Sequence, residues 1–417
     1  VCIRHLTLGG QHMGNLDRRE FLKLAGVASV GFAFKGNSQS RAVPSVFSST
    51  RADPWLEIHL NNIAWNLTQI RNRVNHLPVM AVIKANAYGH GLVAIGKFLE
   101  KQKIHALAVG KFQEAMSLRE SGVQTPILNF GSFSTAEAAE IVQQNISQSV
   151  YTRDFMLLAE EARKLNRTAN VHIKVDTGLG RIGVPYYQAP EFVETVAAAP
   201  GINIEGIFTP FTEDEAFDKV QLKRFLDVCQ SAKKKGISVG LRHAVSSAGI
   251  LSYPQAYLDM VRPGIAIYGT YPSEREYKAR KIELRPAMTL KTRVMYVKTL
   301  RPGDSVSYHR AFVAKQKTQV ATIAIGYSDG YPYQVAGKAE VLIQGRRWPS
   351  IALVTANHMT IDVTGAENLK IGEEVVLFGK QGQNEISAEE VADWAGTSVY
   401  KILIWMNPLL PRNYVET

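Results

Sequence analysis

From Trp55 onward, short and nearly continuous apolar runs alternate with stretches whose apolar residues recur every three or four positions. The runs cover residues 79–84, 104–109, 126–130, 146–152, 171–176, 202–209, 241–245 and 260–268. A nearly continuous apolar run of this length predicts a parallel strand covered on both faces. Between the runs, 135–144, 154–165 and 218–235 show the amphipathic period of surface helices. Eight strand-like runs with helical spacers predict a (β/α)8 barrel of the TIM type. An open doubly wound sheet is the alternative, but no Gly-x-Gly-x-x-Gly follows the first run.

Beyond Arg285 the pattern changes. Residues 289–300, 318–325, 339–343, 359–363 and 374–378 read as strands separated by Gly- and Asp-rich turns. One helix is expected at 387–394, where Ser387 and Glu390 have the spacing of a capping box. The chain therefore divides into a leader and linker (1–53), a barrel domain (54–285) and a mostly-β domain (286–417).

Function in such a barrel collects at the C-terminal ends of the strands. Four of the runs end in or carry polar groups there: Lys84 after the first, Asp176 with Arg181 after the fifth, His243 to Ser247 after the seventh, and Arg262 in the eighth.

Charge adds little to this picture. The net charge is +11, but residues 1–51 carry seven basic groups against Asp17 and Glu20. The surplus on the remainder is modest and dispersed, and no Lys/Arg run interleaved with aromatics marks a nucleic-acid groove. The cysteines are Cys2 and Cys229, too few for a cysteine-based zinc site, and no metal is expected. At the N-terminus, Arg18-Arg19-Glu20-Phe21-Leu22-Lys23 precedes an uncharged stretch at 24–34, too short to span a bilayer. This resembles a twin-arginine export signal, with Met13 as a candidate start, and predicts a periplasmic protein. An ordinary tail and a cytoplasmic location are the alternative.

Lys84 lies within Ala81-Val-Ile-Lys-Ala-Asn-Ala-Tyr-Gly-His-Gly91. A lysine at the end of an apolar strand is partly desolvated, which lowers its pKa and makes the amine a nucleophile toward an aldehyde. The segment closely resembles the lysine motif of the alanine racemase family, whose cofactor is pyridoxal 5′-phosphate (PLP). The similarity recurs in order at Lys174-Val-Asp-Thr-Gly-Leu-Gly-Arg181, Val261-Arg-Pro-Gly-Ile-Ala-Ile-Tyr-Gly269 and Gly303-Asp-Ser-Val-Ser-Tyr308. It continues through Ile325-Gly-Tyr-Ser-Asp-Gly330 and Thr397-Ser-Val-Tyr400, and covers about 55–414.

The resemblance implies a homodimeric PLP racemase that interconverts L- and D-amino acids, alanine by default. Lys84 would carry the cofactor and serve as one acid/base, and Tyr308 from a partner subunit would serve the opposite face of Cα. Arg262 would meet the ring nitrogen. Tyr88, Ser247, Tyr400 and the backbone at Gly264 and Ile265 would hold the phosphate. His243, kept among the cofactor-binding residues, would serve alone where the family's other histidine helps link the catalytic tyrosine to the ring arginine. Arg181, Tyr327, Ala356 and Asn357 would line the substrate site. Lys174 matches a lysine that is often carbamylated in this family.

The chain also departs from the family pattern. Thr209-Pro210-Phe211-Thr212 stands where a histidine is usual, Ala356-Asn357 replaces a Met-Asp pair, and Ser246-Ser247 replaces Asn-Ser. These changes leave the two bases in place and alter the pocket around them. A broad-specificity racemase accepting Ser, Lys or Arg is one alternative, consistent with an exported enzyme near the cell wall. A PLP decarboxylase and a non-catalytic PLP-binding protein are the others.

Overall fold

The computed structural model describes residues 54–416, so the twin-arginine segment, Met13 and Cys2 lie outside the described residues. Seven parallel strands form a curled sheet in chain order: Met80–Val82, Ala106–Val109, Ile127–Asn129, Ile146–Val150, Ala169–Asp176, Ile202–Phe208 and Leu241–His243. Helical crossovers join these strands, and the unbroken burial of Ala106–Val109, Ile127–Asn129 and Ile146–Val150 fits a sheet covered on both faces. Helices Thr135–Gln143, Phe155–Lys164 and Glu215–Lys234 lie where the amphipathic pattern places them.

The eighth run differs from expectation. Val261 makes an isolated parallel bridge to Val79, and the carbonyls of Val261 and Pro263 accept from Met80 and Val82. On the other side, Arg262 N donates to Val245 O. The segment therefore bonds to both neighbours without forming a regular ladder. Pro263 has no N–H to give, and the chain then winds into the 3-10 turn Ile265–Tyr268. The barrel plan holds, with seven regular strands and one irregular one.

The first strand also differs. Trp55–His59, expected in the barrel domain, pairs with Met288–Leu300 and Arg412–Val415 in the second domain's sheet. Its burial alternates, with Leu56 and Ile58 inside, as a half-covered strand requires. Met288–Leu300 is the hub of that sheet and pairs with Thr318–Ile323 and Glu374–Gln381 as well. Arg346–Ile351 is a strand the sequence pattern hid, because Arg346, Arg347 and Pro349 interrupt its apolar character. Ser387 caps Ala388–Ala395, accepting from Glu390 N at 3.0 Å while Glu390 accepts from Ser387 N at 2.9 Å. No helix among the described residues is long and apolar enough to cross a membrane.

Candidate active site

Lys84 leaves the end of Met80–Val82 and starts an unusual turn. Ala85, Asn86, Ala87 and Tyr88 all have φ between 51° and 56°, a left-handed conformation that each L-residue resists by roughly 1–2 kcal/mol. Local bonds hold it. Glu114 accepts from Asn86 N at 3.1 Å and from Gly110 N at 2.9 Å, while Asn86 Oδ1 accepts from Leu92 N at 2.8 Å. Beneath, the buried His90 places Nδ1 3.1 Å and 3.0 Å from the carbonyls of Ala87 and Tyr88. That nitrogen must be the donor, and burial lowers the ring's pKa to about 3, so His90 is neutral. Gly89 closes the turn at φ 85°, where a Cβ would stand 2.1 Å from Leu403 O. Glycine lets the helix Val399–Ile404 approach, bringing the Tyr400 ring 6.1 Å from that of Tyr88.

Lys84 reaches solvent at the barrel mouth yet is closely surrounded by protein. Burial, then the charge of Arg181, lowers its pKa, and Glu114 opposes the shift. Lys174 is buried. Its pKa falls to about 8 through burial and then the charges of Arg181, Arg262 and Lys84. Four cations thus converge on the mouth. The nearby carboxylate of Asp176 is engaged by Gly178 N and Gly180 N at 2.9 and 3.1 Å. Such a cluster suits an anionic ligand.

Next to it is a cradle for one end of that ligand. Ser247 Oγ accepts from Gly264 N at 2.9 Å and Ala266 N at 3.2 Å. A Cβ on Gly264 would meet Tyr88 Oη at 2.5 Å, so the phenol lies directly over this backbone. Burial raises the pKa of both Tyr88 and Tyr400, which therefore remain hydroxyl donors. Hydroxyls and backbone N–H groups gathered opposite a cationic mouth fit a phosphate.

Arg262 is buried, and burial lowers its pKa to about 9. It donates to His243 Nδ1 at 2.8 Å, Thr209 O at 3.1 Å and Ala244 O at 2.8 Å. A guanidinium has five N–H groups, so these three bonds leave donors for a ring acceptor. Pro210 contributes no side-chain bond to this group; its carbonyl accepts from Gln221 Nε2 at 3.2 Å. The residues present therefore fit a phosphorylated aromatic aldehyde: an amine of lowered pKa, a hydroxyl cradle and a buried donor.

The other expected residues lie on the β domain. Tyr308 is 70% exposed in a loop where Ser307, His309 and Arg310 all have positive φ. Tyr327 is also exposed, and its N–H donates to Thr355 O. Asn357 Nδ2 donates to Ser328 Oγ at 2.8 Å, and Ser328 Oγ to Ala356 O at 2.7 Å, so Tyr327, Ala356 and Asn357 form one group. Among the described residues, no hydrogen bond or ring contact joins Tyr308 or this group to the Lys84 cluster.

Sequence reasoning missed Glu114, His90, His172, Glu205 and Phe208. Only their place inside strongly patterned segments signalled them, and such positions usually read as packing.

The family models "Alanine racemase, N-terminal domain" and "Alanine racemase, C-terminal domain" match residues 58–272 and 287–414. The alanine racemase of Desulforamulus reducens is 38% identical over 368 residues, covering 87% of this chain and 98% of its own length. Alanine racemase 1 of Clostridium acetobutylicum is 37% identical, with 87% and 95% covered. Among solved structures, alanine racemase of Clostridium difficile superposes with a TM-score of 0.82 at 33% identity, over 88% of this chain and 97% of that one. The Bacillus anthracis enzyme with bound L-Ala-P gives 0.81 at 31% identity, over 89% and 97%.

Proposed function

The chain belongs to the alanine racemase family, and we propose from that premise how its own residues interconvert the enantiomers of alanine. It is a PLP-dependent isomerase. The observation that carries the residue assignment is the lowered-pKa amine of Lys84 at the barrel mouth, between the Arg181–Lys174–Arg262 cluster and the Tyr88–Ser247–Gly264 cradle.

Bound PLP supplies an electron sink for the pair left on Cα when its proton departs. Tyr88, Ser247, Tyr400 and the amides at Gly264 and Ile265 would hold its phosphate, Arg262 its ring nitrogen and Lys84 its aldehyde carbon. Arg262 stays a donor because arginine does not surrender its proton at neutral pH. Arg181 meets the substrate carboxylate with a charge that faces the mouth.

Racemisation needs a proton to leave one face of Cα and return to the other, so two groups are required. Lys84 Nζ serves one face. Its partly desolvated site disfavours the ammonium, which makes the neutral amine accessible as a base. Tyr308 Oη serves the other, and its exposure on the β domain, with no hydrogen bond to the Lys84 cluster among the described residues, supports its presentation by a second copy. The active form is a homodimer in which Tyr308 of the partner subunit completes each site, with Tyr327, Ala356 and Asn357 of the partner subunit at the substrate entrance. Lys174 is carbamylated, which replaces one cation in a cluster of like charges with an anion. The leader exports the protein through the twin-arginine route, which moves folded proteins and so delivers the cofactor in place.

Two measurements test the assignment. Purified protein incubated with L-alanine should release D-alanine on chiral chromatography, and borohydride should fix PLP to Lys84. Labelling of a different lysine would overturn the placement of the cofactor.

A further inference from the structure

Among the described residues, the three partners of the buried Arg262 guanidinium are uncharged. Arginine donates and never accepts, so Nδ1 of His243 must be the acceptor in their 2.8 Å contact. Burial, then the charge of Arg262, lowers the His243 pKa and keeps the ring neutral. Its single proton therefore sits on Nε2, which lies 2.9 Å from His172 Nδ1. His172 must accept there, which puts its own proton on Nε2, facing Glu205 Oε2 at 3.3 Å. Ser147 Oγ donates to the same carboxylate oxygen. The hydrogen bond from His172 holds the Glu205 carboxyl below its ordinary range.

Every link in this row has one donor assignment, and the assignments forced from its two ends agree. The row runs along three adjacent strands inside the barrel. His172 is paired with Gly206, and Phe208 with His243. Both histidines are buried, whereas the Glu205 side chain is about a third exposed, at 36%. A Cβ on Gly206 would stand 2.4 Å from His172 Nδ1, so only glycine leaves room for the ring in this position.

We propose that Glu205, His172 and His243 are positioning residues for Arg262, linking the anion of Glu205 to the buried guanidinium through two imidazoles fixed as their Nε2–H tautomers. The proposal rests on the assignment of Arg262 to the cofactor ring. An anion at one end and a cation at the other polarise each bond between them in the same sense, which strengthens the row beyond its separate links. Arg262 is then held in place without a carboxylate beside it. An adjacent carboxylate would compete for the N–H groups that the ring nitrogen needs. Outer-shell partners of this kind orient the group that makes contact.

The test is ¹⁵N NMR of the holoenzyme labelled at histidine, with signals assigned by their loss in His172→Gln and His243→Gln. Both rings should be Nε2–H tautomers. In Glu205→Gln, the amide can turn to donate to His172, which would reverse both tautomers and set His243 Nδ1–H against an Arg262 N–H. A second tautomer population should therefore appear, and kcat should fall on the order of tenfold in both directions with KM little changed. Glu205→Asp should restore the single population at least in part. An Nδ1–H tautomer at either ring in the native enzyme would overturn the proposal. So would a Glu205→Gln enzyme with native tautomers and native kcat. The tautomer reading does not depend on turnover, so a native enzyme inactive on alanine would count against the functional reading alone.

Discussion

The ring of Phe208 lies flat against that of His243, with centroids 5.0 Å apart and planes 6° from parallel. The same phenyl group has Arg262 at 5.2 Å and Lys174 at 5.8 Å from its centroid, and Phe130 packs against it at 5.5 Å. Phe208 ends its strand and gives the buried Arg262 guanidinium and the His243 ring an aromatic surface in place of water. Replacing it by Leu keeps most of the volume and removes that face. Phe208→Leu should cost about 1–2 kcal/mol of stability from the cation–π contact with Arg262 and the ring stack on His243 together, measured by urea unfolding. A variant as stable as the native protein would mean that Phe208 only fills space.

Lys174 makes stability depend on pH. In the folded, unmodified chain its pKa falls from an ordinary 10.5 to about 8, burial being the main cause. Between those values the unfolded state binds more protons than the folded one, so stability rises as pH climbs through that window. Below it, the charged amine costs stability. Carbamylation removes this penalty, so bicarbonate should raise Tm at pH 7–8, and ¹³C-bicarbonate should give a carbamate signal lost in Lys174→Met. No signal and no change in Tm would show that Lys174 remains an amine.

The exposed Tyr308 predicts complementation between subunits. Lys84→Ala and Tyr308→Phe chains should each be nearly inactive. Refolded or coexpressed together they should regain about a quarter of native activity, because half of random pairs are mixed and each mixed pair has one complete site. Continued inactivity of a verified mixed dimer would place both bases in one chain.

Much of the barrel was legible because parallel strands buried on both faces leave nearly continuous apolar runs, as at 79–83 and 106–109. The eighth was misread because the run at 260–268 is equally apolar, although its later half coils as a 3-10 turn. Apolarity reports burial, and burial does not distinguish the two. Lys84, Arg262 and Ser247 could be found through the motifs that carry them. Glu114 and Glu205 could not, since each supports a group far away in sequence, and such pairs leave no local spacing. The placing of Tyr308 on a partner subunit was likewise legible only through the family resemblance, since no spacing along one chain encodes a contact between two copies.

The proposed export role of Arg18 and Arg19 gives a prediction of its own. Changing Arg18 and Arg19 together to Lys should retain the protein in the cytoplasm, assayed by fractionation. Unchanged periplasmic recovery would remove the twin-arginine reading.

The last prediction concerns how the Lys84 turn is kept. Four consecutive left-handed residues cost several kcal/mol between them, and the bonds from Glu114, Asn86 and His90 offset that cost. Glu114 matters twice, because its carboxylate also raises the Lys84 pKa against the stronger effects of burial and Arg181. Glu114→Gln retains one oxygen, so either Asn86 N or Gly110 N loses its acceptor, at about 1–3 kcal/mol. The lost charge should lower the Lys84 pKa further. In protein freed of PLP, the pH midpoint for reductive methylation of Lys84 should then move to lower pH. Gly89→Ala separates the two effects. Its Cβ would press on Leu403 O at 2.1 Å at a φ of 85°, which should cost at least about 2 kcal/mol without altering any charge. If both variants lose stability but only Glu114→Gln shifts the midpoint, Glu114 acts as both clamp and counter-charge. An unshifted midpoint in Glu114→Gln would leave it as a clamp alone.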